Sequence, residues 1–383
     1  MNEKYVLFGA GTYGKRVLKK IGSDNVKYII DNDSRKSGTY IEGVEVISFS
    51  EFLKISDQYQ VVIASEGINR YEMEQQLKKN GIRDYIFFWF SFCNTDSLVE
   101  NSYSKEKDKT EDEWNNMVRN NGVWDSIAKY VKTIKDDVPL FNNVEIETIN
   151  RCNGTCSFCP VNKLIDPREE KIMSLDLFRK IINQLEELNY SGRLALFSNN
   201  EPLLDNRIIE LNRYARKHLP NARIHMFSNG TLFTLQKFLD LIPYLDELII
   251  DNYNQELKLI KPCEEIKEYV EAHPQLMEKV TIVLRKTQEI LTSRGGDAPN
   301  REKMVSYGKE SCALPFQQLI IRPDGKVSLC CNDPLGKCTL GDLNNQSILD
   351  VWYGSKYDMV RKCLLQGREN WPHCQFCDTF MLF

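Results

Sequence analysis

Along the first hundred residues, short apolar runs at 5–8, 26–31, 61–65 and 85–89 alternate with helix-patterned stretches, one from about 13 and one near 71–80. Strand-length apolar runs separated by helical patterns are the rhythm of a parallel α/β sheet. From 94 to about 137 the chain turns polar and rich in lysine and glutamate, with helical stretches at 112–118 and 124–134, and reads as a helical connector. Beyond Pro139 six further strand candidates follow, at 144–148, 193–197, 222–226, 247–250, 280–284 and 318–321, most of them separated by helix-patterned segments. Repeats of this kind predict a partial β/α barrel, in which chemistry sits at the C-terminal ends of the strands. The last seventy or so residues are turn-rich, with too small a core of their own, so a metal staple is expected there.

The domain organisation expected from this pattern is a small parallel-sheet unit over 1–93, a helical linker over 94–138, a partial barrel over 139–305 and a cysteine-rich unit over 306–383. The chain has 383 residues, 42% hydrophobic and 27% charged, with a formal charge of -4, which is the make-up of a globular protein without the basic excess that nucleic acid calls for. No apolar run is long enough to span a bilayer, and residues 1–20 enter a strand-and-glycine pattern, so neither a nucleic-acid nor a membrane partner is expected and the cytoplasm is the expected compartment.

Cysteine changes the picture most. Three of the twelve lie within 152–159 and seven within 312–377. In a reducing compartment such clustering points to metal and not to disulfides. Cys152, Cys156 and Cys159 form a CxxxCxxC loop directly after the first barrel strand. Three thiolates hold three irons of a 4Fe-4S cubane and leave the fourth open to an outside ligand. Zinc is the alternative for three thiols, but its sites are built from paired CxxC or Cys/His spacings, and no histidine is near in sequence.

This loop resembles that of the radical S-adenosylmethionine superfamily, and the resemblance runs from about Val144 to the end of the chain. It implies a partial (β/α)6 barrel in which S-adenosylmethionine chelates the open iron and is cleaved reductively to a 5′-deoxyadenosyl radical that takes hydrogen from a C–H bond. Phe158 stands where the family has an aromatic beside the adenine. Ser198-Asn-Asn-Glu201-Pro202 resembles the family's GGEP motif without its glycines, which makes Glu201 the partner of the methionyl ammonium. Ser228-Asn229-Gly230 resembles its TNG motif, whose polar residues approach the ribose. Arg285 and Arg294 are equal candidates for the methionyl carboxylate.

In the tail, Pro323-Asp324-Gly325 predicts a tight hairpin turn presenting Cys330. Cys312, Cys330, Cys374 and Cys377 resemble the ligands of the SPASM and twitch extensions of the same superfamily, in the one-cluster form known in alcohol-oxidising dehydrogenases; Gly341-Asp-Leu followed by 348–352 fits as well. Four protein thiolates would close every iron of a second 4Fe-4S cluster and suit it to moving electrons. Cys331 is the rival to Cys330, and a structural zinc is the rival to the cluster.

Gly9, Gly11 and Gly14 form GxGxxG between a strand and a helix, with Asp31 closing the next strand. The glycines let amides approach a phosphate and Asp31 is placed for a ribose; half a dinucleotide fold suits one nucleotide better than NAD. The unit resembles small Rossmann-like domains of sugar-modifying enzymes, some of which bind a nucleotide-sugar; a docking module with an empty crevice is the other reading. His218, His225, His273 and His373 show no metal pattern, and Cys93 and Cys263 read as ordinary thiols.

Taken together these features predict a radical enzyme that oxidises a carbinol of a sugar or nucleotide-sugar, with a flavodoxin- or ferredoxin-type reductant. The rivals are an epimerase in which Cys263, Cys338 or Cys363 returns the hydrogen atom, a peptide-modifying maturase, and an iron-sulfur scaffold without catalysis. No residue is singled out as a catalytic base.

Overall fold

A computed structural model describes residues 5–65, 67–87, 99–100, 123–305 and 307–379. Cys93 and the helix expected at 112–118 lie outside them. The chain divides into two compact units, Met1–Phe90 and Ser91–Met381. No helix among the described residues is long and apolar enough to cross a membrane.

The first unit is built on strands β1 (Tyr5–Phe8), β2 (Val26–Asp31), β3 (Tyr40–Ile41), β4 (Val44–Ser48), β5 (Gln60–Ile63) and β6 (Tyr85–Phe87), in the order β3-β4-β2-β1-β5-β6. All neighbours run parallel except β3 and β4. Alternate residues of β1 feed two cores: Leu7 packs with Val17, Leu18 and Val62 on one face, Val6 and Phe8 with Ile30, Ile63 and Leu77 on the other. A parallel sheet covered on both faces needs such unbroken apolar runs, which is why these strands were legible. The β3–β4 hairpin was not expected. Its two-residue loop has both residues at positive φ (Glu42 48°, Gly43 84°), and β3 is short with Tyr40 exposed, so its pattern is weak.

The second unit carries β7 (Val99–Glu100), β8 (Asn143–Ile146), β9 (Arg193–Ala195), β10 (Arg223–Ser228), β11 (Glu247–Tyr253), β12 (Val280–Arg285), β13 (Gln318–Ile321), β14 (Lys326–Ser328) and β15 (Thr339–Asp342). Strands β8 to β12 are successive parallel neighbours, joined by helices that include Leu175–Glu187, Ile208–His218 and Lys261–Glu271. The first of these is capped by Ser174, whose hydroxyl accepts from Leu177 N–H, and buries Leu177, Phe178, Ile181, Ile182 and Leu185 along one side.

The sixth expected strand, β13, pairs parallel with β8, the first, and not with β12, the fifth. It then turns at Gly325 (φ 83°) into β14, which runs antiparallel to it. The cysteine-rich tail is thereby continuous with the barrel sheet. Because β8 to β13 are parallel, their C-terminal ends share one rim, and that rim carries the site.

Candidate functional site

The loop after β8 is held from beneath by arginine. Arg168 donates to both Asp166 oxygens, to Glu147, and to the carbonyls of Asn150 (2.9 Å) and Asn199 (3.2 Å), tying the cysteine loop to the turn after β9. Asn162 donates to the carbonyls of Cys156 (3.2 Å) and Cys159 (2.9 Å) and so fixes the turn that carries both. Neither residue had a sequence signal, because the backbone carbonyls they hold carry no residue-specific pattern. Gly154 sits between two thiols: a Cβ there would lie 3.4 Å from Cys152 Sγ and 3.8 Å from Cys156 Sγ. Burial pushes the Cys152 thiol up to about 11 and Cys156 up to about 12, as for thiols that shed their protons only when a metal replaces them.

Cys152, Cys156 and Cys159 open onto one cavity with Phe158, Glu201 and Asn229. Glu201 is 2% exposed. Its carboxylate accepts from Ser228 Oγ (2.9 Å), Asn229 N–H (2.8 Å) and Leu203 N–H (3.1 Å), and no cation lies within ion-pair distance among the described residues. Burial therefore outweighs three hydrogen bonds and pushes its carboxyl up to about 7. Asn229 ties this turn to the cysteine loop, donating to Asn153 Oδ1 (2.7 Å). The ring of Phe158 lies 5.9 Å from that of Tyr253 on the same wall.

The two arginines part company. Arg285 is engaged by Asp251 (2.7 Å) and Glu289 (3.5 Å), whereas Arg294 lines the cavity and has no carboxylate within ion-pair distance among the described residues. Its backbone is left-handed (φ 51°), followed by Gly295 and Gly296 at 65° and 87°. Cβ atoms on those glycines would meet His373 Nε2 at 2.5 Å and the Phe376 side chain at 2.8 Å, so the loop presenting Arg294 rests on the tail.

In the tail, Cys312, Cys330, Cys374 and Cys377 line one enclosure with the Arg368 guanidinium. Arg368 is 1% exposed and is held by the carbonyls of Cys377 (2.9 Å) and Thr379 (2.6 Å). Burial disfavours its charge, but the four thiols as thiolates hold it above its usual value. A buried cation among four thiols fits an anionic iron-sulfur group. Cys331 is not in the lining of this enclosure; its N–H donates to Gln318 Oε1 (3.0 Å) and its carbonyl accepts from Asn199 Nδ2 (3.2 Å).

The other candidates are set apart from the cavity. Cys263 is buried behind Gly230, whose Cβ would fall 2.6 Å from its sulfur, and neither Cys338 nor Cys363 is in the cavity wall. His225 is buried with Phe197 and Phe227, His218 pairs with Glu186, His273 stacks on Tyr269, and His373 contacts the Asn332 carbonyl.

In the first unit, Gly9 has φ 121° and a Cβ on Gly14 would fall 1.8 Å from the Gly9 carbonyl oxygen, so both positions require glycine; Gly11 is open and exposed. Asp31 is already engaged, by Ala10 N–H (2.8 Å), Asp33 N–H (2.8 Å) and Lys36 (3.0 Å).

The radical SAM superfamily model matches residues 146–258, and the model of an iron-sulfur cluster-binding domain, SPASM, matches 312–378. Over 245 residues the chain is 28% identical to the S-adenosyl-L-methionine-dependent 2-deoxy-scyllo-inosamine dehydrogenase of Niallia circulans, covering 63% of this chain and 94% of that one. The crystal structure of BtrN in complex with AdoMet and 2-DOIA superposes with a TM-score of 0.55 at 25% identity, again over 63% of this chain and 94% of that one. The structure of anSMEcpe with bound AdoMet gives a TM-score of 0.42 at 14% identity over 62% and 85%. Two family models that each span one thiol set, and a relative matched along nearly its whole length, identify a radical SAM domain over 146–258 and a SPASM iron-sulfur cluster-binding domain over 312–378 of this chain.

Proposed function

We propose that this chain is an oxidoreductase that dehydrogenates a carbinol carbon of a small polyol, a sugar or a nucleotide-sugar to a ketone. The observation that carries the reading is the enclosure of Cys312, Cys330, Cys374 and Cys377 around Arg368, a ligand set that leaves substrate no iron to bind and favours uptake of an electron. The dehydrogenase activity in the name of the Niallia relative supports it.

When bound by Cys152, Cys156 and Cys159, a 4Fe-4S cluster with S-adenosylmethionine supplies a 5′-deoxyadenosyl radical as hydrogen acceptor. The chain's own part is to hold the cofactor still. Glu201, lacking a cation of its own, takes the methionyl ammonium; Arg294 takes the carboxylate; Ser228 and Asn229 face the ribose and Phe158 the adenine. Cys330 completes the second set and Cys331 does not. Low-potential electrons come from a flavodoxin- or ferredoxin-type donor, and the cytoplasm is the reducing compartment that keeps such cysteines out of disulfides. The first unit takes a nucleotide or nucleotide-sugar, its phosphate at Gly9–Gly14 and a ribose hydroxyl on Asp31 Oδ1, which accepts from Asp33 N–H alone among the described residues.

The test is anaerobic reconstitution of the wild type and of a Cys152→Ala/Cys156→Ala/Cys159→Ala variant. About eight irons falling to about four, with 5′-deoxyadenosine formation abolished, is the expected result. About four irons in the wild type and none in the variant removes the second cluster and the argument for oxidation with it.

A further inference from the structure

The buried carboxylates of the second unit divide by what neutralises them. Glu147 has Arg168, Glu247 has Arg193 and Arg223, Asp251 and Glu289 have Arg285, Asp205 has Arg207, Asp378 has Arg301, and Asp333 faces His373 at 4.0 Å and accepts from the backbone N–H groups of Lys337 and Cys338. Glu201 has three hydrogen-bond donors and is reserved for the cofactor ammonium. Glu145 is left. It lies on β8, is 9% exposed, and has no ion pair among the described residues. Its donors are neutral: Ser198 Oγ (2.7 Å) on one oxygen, Gln318 Nε2 (2.8 Å) and Asn143 Nδ2 (3.2 Å) on the other.

Two of those contacts lead outward. Ser198 lines the cavity that holds the first thiol set and Arg294. Gln318 also accepts the Cys331 N–H, next in the chain to Cys330 of the second set. A hydrogen-bonded path thus runs from the cavity wall through Ser198 to Glu145, and on through Gln318 to the cysteine loop of the tail.

We propose that Glu145 is the acceptor of the substrate's hydroxyl proton, reached through Ser198. This rests on the dehydrogenation reading above. The substrate O–H bond breaks, its proton passes to Ser198 Oγ, and the Ser198 hydroxyl proton passes to Glu145 to give the neutral acid. The carbinol hydrogen atom leaves to the deoxyadenosyl carbon and the remaining electron to the iron-sulfur group of the tail, so alcohol becomes ketone with one proton, one electron and one hydrogen atom accounted for. Burial raises the Glu145 carboxyl, partly offset by Ser198, Asn143, Arg193 and Arg294, while Glu145 and the Cys331 thiol each oppose ionisation of the other. A raised carboxyl is the better proton acceptor.

The experiment uses reconstituted full-length wild type, Glu145→Gln, Glu145→Asp and Ser198→Ala, with 2-deoxy-scyllo-inosamine deuterated at its carbinol carbons as probe. In Glu145→Gln, deuterium should still reach 5′-deoxyadenosine while ketone per deoxyadenosine falls at least about tenfold, within the roughly 10²–10⁴-fold range of acid–base groups. At saturating S-adenosylmethionine the fall in ketone per deoxyadenosine toward low pH should vanish with it, Glu145→Asp should restore part, and Ser198→Ala should lie between. Infrared difference spectra of the reconstituted wild type against Glu145→Gln should show a carboxyl titrating above the ordinary glutamate range. Ketone yield and pH profile unchanged in Glu145→Gln, or a Glu145 that titrates as an ordinary glutamate, overturns the proton role alone. A wild type that moves deuterium to deoxyadenosine but makes no ketone overturns the dehydrogenation reading, and the proton role falls with it.

Discussion

Glu201 shows how one side chain is tuned by its surroundings. Buried without a cation and pushed up to about 7, it is largely protonated at mildly acidic pH, and an ammonium binds only its ionised form. S-adenosylmethionine affinity should therefore fall as pH drops below about 7 and level off above it, with proton release on binding near neutrality, measured by calorimetry in buffers of different ionisation heat. Glu201→Gln keeps the shape but loses the charge; a charge-assisted bond of about 1.5–3 kcal/mol predicts roughly 10- to 100-fold weaker binding without the pH dependence. Glu201 was legible because a carboxylate followed by proline after a strand is a local pattern. Asn162 and Arg168 were not, since what they bind is backbone brought near by the fold.

At the scale of elements, the site depends on turns that follow parallel strands. Gly230 ends the turn after β10 with φ 78°, and an added Cβ would fall 2.6 Å from Cys263 Sγ and 2.8 Å from Ile250 Cγ2. Gly230→Ala should cost about 1–3 kcal/mol in a urea melt and weaken cofactor binding several-fold, because the same turn carries Ser228 and Asn229. The strands themselves were readable as apolar runs between helical patterns. The partner of each was not: that β13 lies beside β8 depends on long-range pairing, which leaves no mark in periodicity.

For the second unit as a whole, the tail and the cavity are mechanically joined. Ser293 N–H and Oγ donate to Asp378 Oδ1 (2.8 and 2.9 Å), Asp378 pairs with Arg301, and the Arg294–Gly296 loop rests on His373 and Phe376. Four thiols and a buried guanidinium make a core that is poorly held without metal. Removal of iron by chelation should speed amide exchange over 291–301 and 312–379, while the β1–β6 sheet, with its own two cores, keeps its protection; hydrogen-exchange mass spectrometry measures both.

The sequence by itself determined the chemistry available to this protein. Cys152, Cys156 and Cys159 share one loop, Cys374 and Cys377 one turn, and Glu201 and Asn229 follow successive strands, so spacing implied iron and the strand ends where these residues meet, and the resemblance of the motif around Glu201 implied an ammonium partner. Only the tertiary structure decided among equals that are distant in the chain. It put Cys330 and not Cys331 in the enclosure with Arg368, separated Arg294 from an Arg285 already engaged by Asp251, and left Glu145 as a buried carboxylate with neutral donors alone. The physical reason is that a motif is fixed by neighbours within a few residues, whereas burial, charge pairing and direction are set by segments that meet only when β13 returns to β8.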